Sequence, residues 1–593
     1  MGDLKNISRE IAIKTGCPQG GILLVMLWNV AFDQLLGKFR KGRVICIGFA
    51  DDGTLLIHGK DLPNMVRLMQ RALDKVQAWA TENGLTLSPT ETNAVLFTRK
   101  RKIPDTNITL TINGNTINYV DTVKCLGITL DCRLNWTAHI NEKVKQAKQY
   151  LHLLKTSISR TWGPTPEKML WIWTAVVRPK ITYASYIWAT DLTKAQRAKL
   201  NKIQRLALMQ LAHFRQTTPE TGLDVILGQL PLDLHLLSLA ILTHIRVKDK
   251  VPRGWRGKGP GANGKPGHIL RMELALETLD LPVFDIDQIP KSKEWTQNYL
   301  IDPDLSGANV EDCLRLYTDG SKLYGHASYG SVLLDSEDVA IREDYGGLGA
   351  YPTVFQAECL AIVNGLKTQN DVINEDLTIL TDSQAVLYAL QDVTTTSKTV
   401  KMVKDSLNAL GARIPVRIKW IKAHVCHFGN ECADALAKRG SSTHPTGPEP
   451  FLPIPKALLR TAVRSRVTEI WSKRWKERSD ARQTAIFFPD IATRKSEKLL
   501  KLSKETLGRV VRALSGHDFR TRHEAILEKR LPPSCRLCLQ EEESPSHLIL
   551  HCPKLNHFRA YTFGSYTQNI VHSWTTDQVV TFISDPLISE LET

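Results

Sequence analysis

Alternating hydrophobic and polar positions predict two strands that each lead to an acidic residue. Residues 314–318 alternate apolar and polar side chains and stop at Asp319, which is followed by a glycine and a serine. Residues 377–381 form a second apolar run, which stops at Asp382 and Ser383. Neighbouring strands of this form bring the carboxylates at their ends to one edge of a sheet.

Helical periodicity predicts two helices that add further carboxylates. Apolar positions recur at helical spacing over residues 356–366, which places Glu358 in the first turn, able to reach the first strand. Residues 430–438 predict a second helix, which contains Asp434 and follows a strand predicted at 416–421. The four acids therefore occur in the order strand, helix, strand, helix.

A set of four carboxylates suits the hydrolysis of a phosphodiester. That reaction needs an activated water and a stabilised leaving oxygen, and a pair of divalent ions supplies both when carboxylates hold them. Magnesium prefers oxygen ligands and keeps several waters, so four carboxylates and the scissile phosphate suffice. A single acid is more often a solvated surface charge. Four acids in this order, two of them directly after a strand that ends in threonine, favour the metal site.

Residues 313–442 resemble the ribonuclease H domain carried by retroelements, on the strength of these acids and of the histidine-containing segment 421–430. The resemblance implies that His424 assists product release or proton transfer, a role for which His427 in the same loop is an alternative. It also implies that two Mg²⁺ or Mn²⁺ ions bind to the four acids, which are Asp319, Glu358, Asp382 and Asp434.

Another acidic pair lies at the tip of a hairpin predicted near the start of the chain. Two apolar strands within residues 44–57 flank Asp51 and Asp52, and paired acids at a tip repel each other unless a cation is bound. An Asp-Asp-Gly turn alone is ordinary, and most such turns bind nothing. Before it, a stretch rich in proline and glycine at 16–21 leads into an apolar helix at 23–36, and a backbone this bare can approach a nucleotide or template closely.

Together these two features resemble the palm of a reverse transcriptase from a LINE-type non-LTR retrotransposon, of the I, R1 and Jockey kind. Residues 124–131 resemble the next strand motif of that family, and residues 177–188 resemble its thumb. The family needs a further Asp on an earlier strand, and no residue before Asp51 matches it. The sequence that ends at Asp33 is similar to the family's sequence around this missing Asp, but it lies inside the predicted helix. We therefore interpret Asp33 as structural.

The resemblance therefore implies a partial palm that lacks the fingers and the first catalytic strand, as in a truncated copy or an incomplete gene model. Asp51 and Asp52 are expected to be a vestigial polymerase site. Polymerisation is expected only if another chain supplies the missing acid.

Basic residues on predicted helices are candidates for contact with nucleic acid. Residues 137–175 read mostly as helices with lysines at helix-face spacing, which form either a solvated face or a surface that contacts phosphates. Residues 253–267 are rich in glycine and basic, which predicts a flexible linker, and residues 441–455 predict a hinge. The helical sequence after this hinge is basic as well, through Arg464, Arg466, Lys473, Arg474 and Lys476.

A cysteine and histidine cluster lies near the end of the chain. Cys535 and Cys538 are followed by His547 and Cys552, and this spacing allows one zinc ion to be bound tetrahedrally. His551 is a competing ligand, and unpaired buried cysteines are the alternative to a metal site. A motif of this kind after a ribonuclease H domain resembles the C-terminal end of some non-LTR retrotransposon proteins, which implies a structural Zn²⁺.

The net charge of the chain indicates a polyanionic partner. Lys and Arg outnumber Asp and Glu by 77 to 61, a formal charge of +16, which favours binding to a polyanion but does not by itself identify nucleic acid. Eleven cysteines, scattered apart from one cluster, indicate a reducing compartment rather than a disulfide framework. With no long apolar run and no secretory signal pattern, we expect an intracellular protein, in the nucleus or cytoplasm, without a membrane partner.

The predicted fold is multidomain, of the α+β and α/β classes, as suits 593 residues. It comprises a partial reverse-transcriptase palm and thumb, a ribonuclease H-like mixed five-stranded sheet with flanking helices, and a helical C-terminal region with a small zinc motif. The expected segments are a palm at 1–135, a helical thumb or connection at 136–250, a linker at 251–312, the ribonuclease H domain at 313–442, a basic helical segment at 443–525, the CCHC motif at 526–560 and a tail at 561–593.

Two functions of different classes follow from these motifs. The first is a ribonuclease that cuts the RNA strand of an RNA–DNA hybrid, with RNA and DNA as partners and selectivity from contacts to 2′-hydroxyl groups. The second is a catalytically inactive, zinc-stabilised relic that binds nucleic acid. Retention of all four acids and of His424 favours the enzyme.

Overall fold

The structure is a computed structural model. It describes residues 22–98, 109–156, 162–247, 285–293, 296–302, 313–368, 371–423, 427–445, 449, 452–517, 525, 528, 534–564 and 574–592. The glycine-rich stretch at 16–21, the linker predicted at 253–267 and His424 lie outside these residues. The chain divides into two compact units, Met1–Gln149 and Tyr150–Thr593, which are described separately.

The first unit contains the predicted apolar helix and acidic hairpin. The helix spans Ile22–Gly37, and the strands Val44–Phe49 and Asp52–Ile57 pair antiparallel, which confirms both predictions. The long helix Leu62–Glu82 packs against them because its buried residues, including Trp79, join Phe32 in one apolar cluster. Asp33 is exposed and forms an ion pair with Arg40 at 3.0 Å.

The rest of the first unit consists of short strands followed by a helix. The segment predicted as one strand motif at 124–131 forms two strands of a hairpin, because Leu126 and Gly127 adopt positive φ and reverse the chain. The carboxylate of Asp131 accepts hydrogen bonds from the following backbone N–H groups and closes the turn into the helix. The elements are the strands Asn93–Ala94, Leu110–Ile112, Asn115–Tyr119, Thr122–Cys125 and Ile128–Asp131 and the start of the helix Thr137–Thr156.

A mixed sheet organises the second unit, and in the described part of the chain it has six strands, whereas the sequence predicted five. From one edge to the other the strands are Ala340–Gly349, His326–Leu334, Leu314–Leu323, Leu377–Thr381, Val416–Trp420 and Leu300–Asp302. Leu314–Leu323 pairs antiparallel with His326–Leu334, which in turn pairs antiparallel with the edge strand Ala340–Gly349. On its other side Leu314–Leu323 pairs parallel with Leu377–Thr381, and the two strands beyond continue in parallel. The additional strand, Leu300–Asp302, comes from the segment expected to be a linker. Three residues are too few to produce a periodic signal, and their partner lies more than a hundred residues later in the chain.

The first central strand is also longer than predicted. It does not stop at Asp319 but continues to Leu323, because Gly320 and Ser321 go on pairing with the neighbouring strand at Tyr329 and Ser328. Asp319 therefore lies within a strand, whereas Asp382 directly follows the strand Leu377–Thr381, as predicted.

Helices cover the sheet and enclose an apolar core. The helix that carries Glu358 spans Val354–Thr368, and reciprocal bonds between Thr353 and Gln356 cap its start. The helix that carries Asp434 spans Phe428–Gly440 and lies so close to the sheet that the Ser328 hydroxyl donates to the Ala437 carbonyl at 2.7 Å. The remaining helices of this layer are Gln384–Gln391 and Lys398–Gly411.

Helices from before and after the sheet pack together in a helical body. Arg474 forms an ion pair with Asp233 at 2.8 Å, and Arg512 donates to the His213 carbonyl at 2.8 Å. The segment expected to form a thumb is therefore in contact with the basic helical segment. The π-helical stretch Trp173–Val177 lies between the first two of these helices. The helices that precede the sheet are Pro166–Ile172, Arg178–Thr182, Ser185–Trp188, Lys194–Leu208, Glu220–Ile226 and Leu232–Val247. Those that follow it are Lys456–Lys476, Arg482–Phe487, Thr493–Leu500 and Lys504–Ser515.

The C-terminal elements complete the second unit. They are the π-helical turn His547–His551, the 3-10 turn Pro553–Leu555, the helices Asn556–Phe563, Thr576–Ser584 and Pro586–Ser589 and the final 3-10 turn Glu590–Glu592. None of the helices in the described ranges is both long and apolar enough to cross a membrane.

Candidate metal centres

Three of the four predicted acids lie together at one end of the sheet. The carboxylate oxygens of Asp319, Glu358 and Asp382 all lie within 4.8 Å of one another. The two aspartates come from neighbouring parallel strands, and the glutamate comes from the helix that packs on them. The three acids gather at one place as the sequence predicts, although Asp319 lies within its strand and not at the strand end.

A glycine makes the close approach of Glu358 and Asp319 possible. A side-chain carbon added at Gly320 would lie 2.4 Å from the backbone nitrogen of Glu358, inside the contact distance of two atoms. The strand can therefore pass directly beneath the start of the helix only because this residue has no side chain. The Asp-Gly pair thus sets the separation of the two carboxylates.

Burial and mutual repulsion make this group electrostatically strained without a cation. Burial, followed by repulsion from Asp382 and Asp434, raises the pKa of Asp319 to about 7. Burial, followed by repulsion from Asp319 and Asp382, raises the pKa of Glu358 to about 9. The Oε2 atom of Glu358 is buried without a hydrogen-bond partner. A set of oxygen donors with an unsatisfied buried atom fits a divalent cation of the Mg²⁺ type.

Asp434 stands apart from the other three acids. Its carboxylate forms an ion pair with Lys438, one helical turn later, while remaining near enough to raise the pKa of Asp319. Sequence reasoning missed Lys438, although the four-residue spacing of acid and base on a predicted helix was visible.

The two histidines considered for this site are placed differently. His424 lies outside the described residues. His427 is exposed and precedes the first turn of the helix Phe428–Gly440, so it is not one of the residues that gather around the three carboxylates.

The cysteine and histidine cluster forms a second compact group of metal-ligand type. The ligand atoms of Cys535, Cys538, His547 and Cys552 all lie within 4.8 Å of one another. The Nε2 atom of His547 lies 3.3 Å from the sulfur of Cys538. His551, the competing ligand, is exposed and is not part of the group.

A second residue orients the histidine of this group. Glu541 Oε2 lies 2.8 Å from Nδ1 of His547, so the imidazole turns its other nitrogen toward the thiols. Sequence reasoning also missed Glu541, which is one of three consecutive glutamates between the second cysteine and the histidine.

The thiols of this group differ in acidity. Burial acts to raise the pKa of Cys538, but the backbone N–H groups of Gln540 and Glu541 and the contact with His547 bring it down to about 6. Burial raises the pKa of Cys552 to about 12. Three sulfurs and one imidazole nitrogen are the donor set that zinc prefers.

The acidic hairpin of the first unit presents a simpler arrangement. Asp51 and Asp52 lie at its tip and are exposed, and Trp28 donates to the Ala50 carbonyl at 2.7 Å beneath them. Within the described ranges of the chain, groups of three or more metal-ligand side chains occur at the two sites above and not at this hairpin.

Two family models match separate parts of the chain. A model described as reverse transcriptase (RNA-dependent DNA polymerase) matches residues 3–130, and a model described as RNase H matches residues 311–442. The second match spans five of the six strands of the sheet, all but Leu300–Asp302, together with all four candidate acids.

Curated relatives come from mobile elements of insects. The Pol polyprotein of the type-1 retrotransposable element R1 from Nasonia vitripennis is 24% identical over 40% of this chain and 69% of its own length. A putative 115 kDa protein of element R1DM from Drosophila melanogaster is 27% identical over 42% of this chain, but the match spans 23% of that relative. The RNA-directed DNA polymerase of the mobile element jockey from Drosophila funebris is 24% identical over 34% of this chain and 22% of its own length.

Solved ribonuclease H structures match about a fifth of the chain. The N-terminal RNase H domain of a Mycobacterium tuberculosis protein is 21% identical over 22% of this chain and 92% of that one, with a TM-score of 0.19. RNase H1 from Halobacterium salinarum is 26% identical over 21% of this chain and 96% of that one, with a TM-score of 0.18.

Proposed function

We propose that this chain, which has the reverse transcriptase and ribonuclease H domains of a LINE-type non-LTR retrotransposon protein related to R1 and jockey, hydrolyses the RNA strand of RNA–DNA hybrids. The observation that carries the proposal is the convergence of Asp319, Glu358 and Asp382 within 4.8 Å. Three carboxylates at this distance, two of them with strongly raised pKa values, are costly in a folded protein unless they bind cations.

The four acids would hold two Mg²⁺ or Mn²⁺ ions, which when bound activate a water and stabilise the leaving oxygen. Asp319 and Glu358 supply buried, closely spaced oxygens whose positions are set by the contact at Gly320. Asp434, held by Lys438 in this structure, is the fourth ligand in the proposal. His424 keeps the role that the family resemblance implies, in proton transfer or product release.

The RNA strand would be selected by contacts to its 2′-hydroxyl groups across the shallow minor groove of the hybrid, because DNA has no 2′-hydroxyl groups. The expected products are therefore cuts in RNA alone. RNA–DNA hybrids are the proposed substrate, and RNA and DNA are the partners that this activity requires.

The test is cleavage of a labelled RNA–DNA hybrid by the full chain with Mg²⁺. We expect cuts confined to the RNA strand, lost when metal is omitted or when Asp382→Asn is introduced. Asp405→Asn, which changes an exposed acid paired with Lys401 away from the carboxylate group, is the matched control and should retain cleavage. Absence of cleavage by folded wild-type protein that binds the hybrid would refute the proposal.

A second candidate function is hybrid binding without turnover. The formal charge of +16 favours it, because a strongly basic chain binds polyanions whether or not its carboxylates are catalytic. The same experiment separates the two functions, since binding without RNA cleavage leaves the inactive protein as the better description.

The proposal includes a structural zinc ion held by Cys535, Cys538, His547 and Cys552. Their donor atoms already converge, and the site lies among buried apolar residues, which suits a structural role better than a catalytic one. By contrast, Asp51 and Asp52 are exposed and no third acid of the described residues joins them. We therefore propose that this chain alone does not extend a primer.

A further inference from the structure

The ribonuclease H domain contributes little net attraction for a polyanion. Residues 313–442 contain 13 Lys and Arg and 15 Asp and Glu, a formal charge of −2. An RNA–DNA hybrid carries a high density of negative charge, and binding to such a polymer depends on cations that neutralise its phosphates. Apart from the metal ions proposed above, the side chains that attract the hybrid by charge are therefore expected to lie largely outside this domain.

The helices that follow the domain supply the opposite charge. Residues 456–515 contain 16 Lys and Arg and 6 Asp and Glu, a formal charge of +10 out of +16 for the whole chain. The segment amounts to about a tenth of the sequence, so the positive charge is concentrated rather than spread. Its first helix, Lys456–Lys476, follows the ribonuclease H domain, which ends at residue 442.

One face of this helix is buried and another carries a row of cations. Leu459, Val463, Val467, Trp471 and Trp475 are buried, and the first two belong to a cluster with residues of the helix Leu232–Val247. Lys456, Arg460 and Arg464 occupy every fourth position and are exposed. The first acid of the helix is Glu469, which pairs with Arg466 at 2.7 Å, so the row has no acid beside it on its own helix.

Direct contacts tie the segment just before this row to the helix that carries Glu358. Gln356, which is buried two residues before Glu358, donates its side-chain N–H to the Pro453 carbonyl at 2.9 Å. Ile454 then pairs through its backbone with Asp285 and Asp287. The basic helix therefore begins three residues after a contact with the first turn of the helix that carries Glu358.

We propose that Lys456, Arg460 and Arg464 form a phosphate-binding ridge, which holds the backbone of the RNA–DNA hybrid where it extends beyond the carboxylates. The three residues span about 12 Å along the helix, which covers roughly three phosphates of one strand. The inference rests on the proposed function for its ligand. It adds a binding surface outside the ribonuclease H domain, whose basic side chains bind phosphates and do not distinguish base sequences.

The experiment measures hybrid binding by the full chain with chelator present, so that cleavage plays no part. A fluorescently labelled RNA–DNA hybrid is titrated at several salt concentrations, and the dissociation constant is obtained from fluorescence anisotropy. The test variant carries Lys456→Gln, Arg460→Gln and Arg464→Gln. The control carries Arg494→Gln, Lys498→Gln and Lys501→Gln, an equal loss of exposed charge on another helix of the same body and at the residue that directly follows it.

For the test variant we expect the dissociation constant to rise about tenfold or more at moderate salt, and the dependence of log K on log salt to become less steep by roughly 2 to 3. The control variant should keep the wild-type slope. A third variant, with Lys456→Arg, Arg460→Lys and Arg464→Lys, should restore binding, because a phosphate contact needs the charge and not a particular head group. Thermal unfolding of each variant shows whether it is folded.

Three outcomes would overturn the ridge: unchanged binding by the test variant, an equal loss in the control variant, or no salt-dependent hybrid binding by wild type. Failure of the proposed function is a different result. If the wild type cuts no RNA but the test variant alone loses binding, the phosphate-binding ridge is supported and the proposed RNA hydrolysis is refuted. An acidic protein that competes for the ridge while the hybrid does not bind would identify a different partner and refute the proposal.

Discussion

Asp319 and Glu358 are ionisable side chains held in a buried group of like charge. Their carboxyl groups have raised pKa values and so stay protonated at a higher pH than ordinary carboxyl groups, because burial and the neighbouring acids penalise the charged forms. The folded protein without metal therefore binds protons that the unfolded chain releases. This difference couples the stability of the fold to pH and to divalent metal.

The sign of the coupling follows from the two pKa values. The pKa of Asp319 is about 7 in the fold and near 3.8 in the unfolded chain, so metal-free protein loses stability as the pH rises from about 4 to about 7. Glu358, with a pKa of about 9, extends the loss to higher pH. Asp319→Asn removes one such carboxyl, and in chelator near pH 8 we expect the variant to be more stable than wild type by up to a few kcal/mol, at about 1.4 kcal/mol per pKa unit.

Thermal unfolding in chelator near pH 5 and pH 8 measures this effect. The gain should be confined to the higher pH, and added Mg²⁺ should stabilise wild type but not the variant. Asp405→Asn serves as the control. A variant that is less stable than wild type at both pH values would contradict the electrostatic account.

The orientation of His547 is a second property of single residues. Glu541 binds Nδ1 and leaves Nε2 facing the sulfur of Cys538, which prepares the imidazole to bind a metal ion. We expect Glu541→Ala to weaken zinc binding by about 10- to 100-fold, measured by competition with a chromogenic chelator. Gln540→Ala, which keeps the backbone N–H that lowers the pKa of Cys538, should bind zinc as wild type does. Equal affinity of both variants would show that Glu541 has no orienting role.

Strands and helices approach one another closely in the ribonuclease H domain because glycines lie where they cross. Gly320 allows the helix with Glu358 to lie against the central strand, and Gly330 does the same for the helix Phe428–Gly440 with Asp434. At both crossings an added side-chain carbon would lie within 2.4 Å of backbone atoms of the helix. The spacing of the acids is therefore a property of packed elements.

Gly330→Ala tests this dependence on packing. The new methyl group would lie 2.3 Å from the Ala437 nitrogen, so the helix must move away from the sheet, at a cost of about 1–3 kcal/mol and with a displaced Asp434. Thermal unfolding should show the loss of stability, and hybrid cleavage should fall with it. Gly37→Ala has open space around it and is the control for both measurements. Wild-type stability in the Gly330 variant would mean that the close approach is not required.

The second unit is held together by contacts between segments far apart in the chain. Helices that precede the ribonuclease H domain pack against helices that follow it, through apolar clusters and a few buried polar links. Asp233 is one such link, because it is nearly buried and bonds to both Asn201 and Arg474. The helical body therefore depends on both ends of the unit.

Removal of one partner measures the strength of this link. We expect Arg474→Met to destabilise the second unit by about 1–3 kcal/mol, since the buried Asp233 carboxylate would lose its charged partner. Lys473→Met, at the exposed neighbouring position, removes the same charge from a 4.0 Å surface pair and should have little effect. Similar unfolding midpoints for the two variants would show that Asp233 is satisfied without Arg474.

Much of the candidate site could be predicted from sequence because its residues occupy local patterns. The strand before Asp382, the helix around Glu358 and the hairpin at Asp51 each have a periodicity that identifies them, and the structure confirms these elements. The gathering of Asp319, Glu358 and Asp382 followed from the order of strands and helices. What the pattern missed was the continuation of the first strand past Asp319, since Gly and Ser are also typical of turns.

The sequence by itself determined where the acids and thiols lie along their elements, because periodicity and spacing are local properties of the chain. Only the tertiary structure decided which distant groups meet. It paired Leu300–Asp302 with the sheet as a sixth strand, joined Arg474 to Asp233, and brought Gln356 to Pro453 beside the basic helix. Such contacts depend on the packing of whole elements separated by a hundred residues or more, and no short window of sequence contains that information.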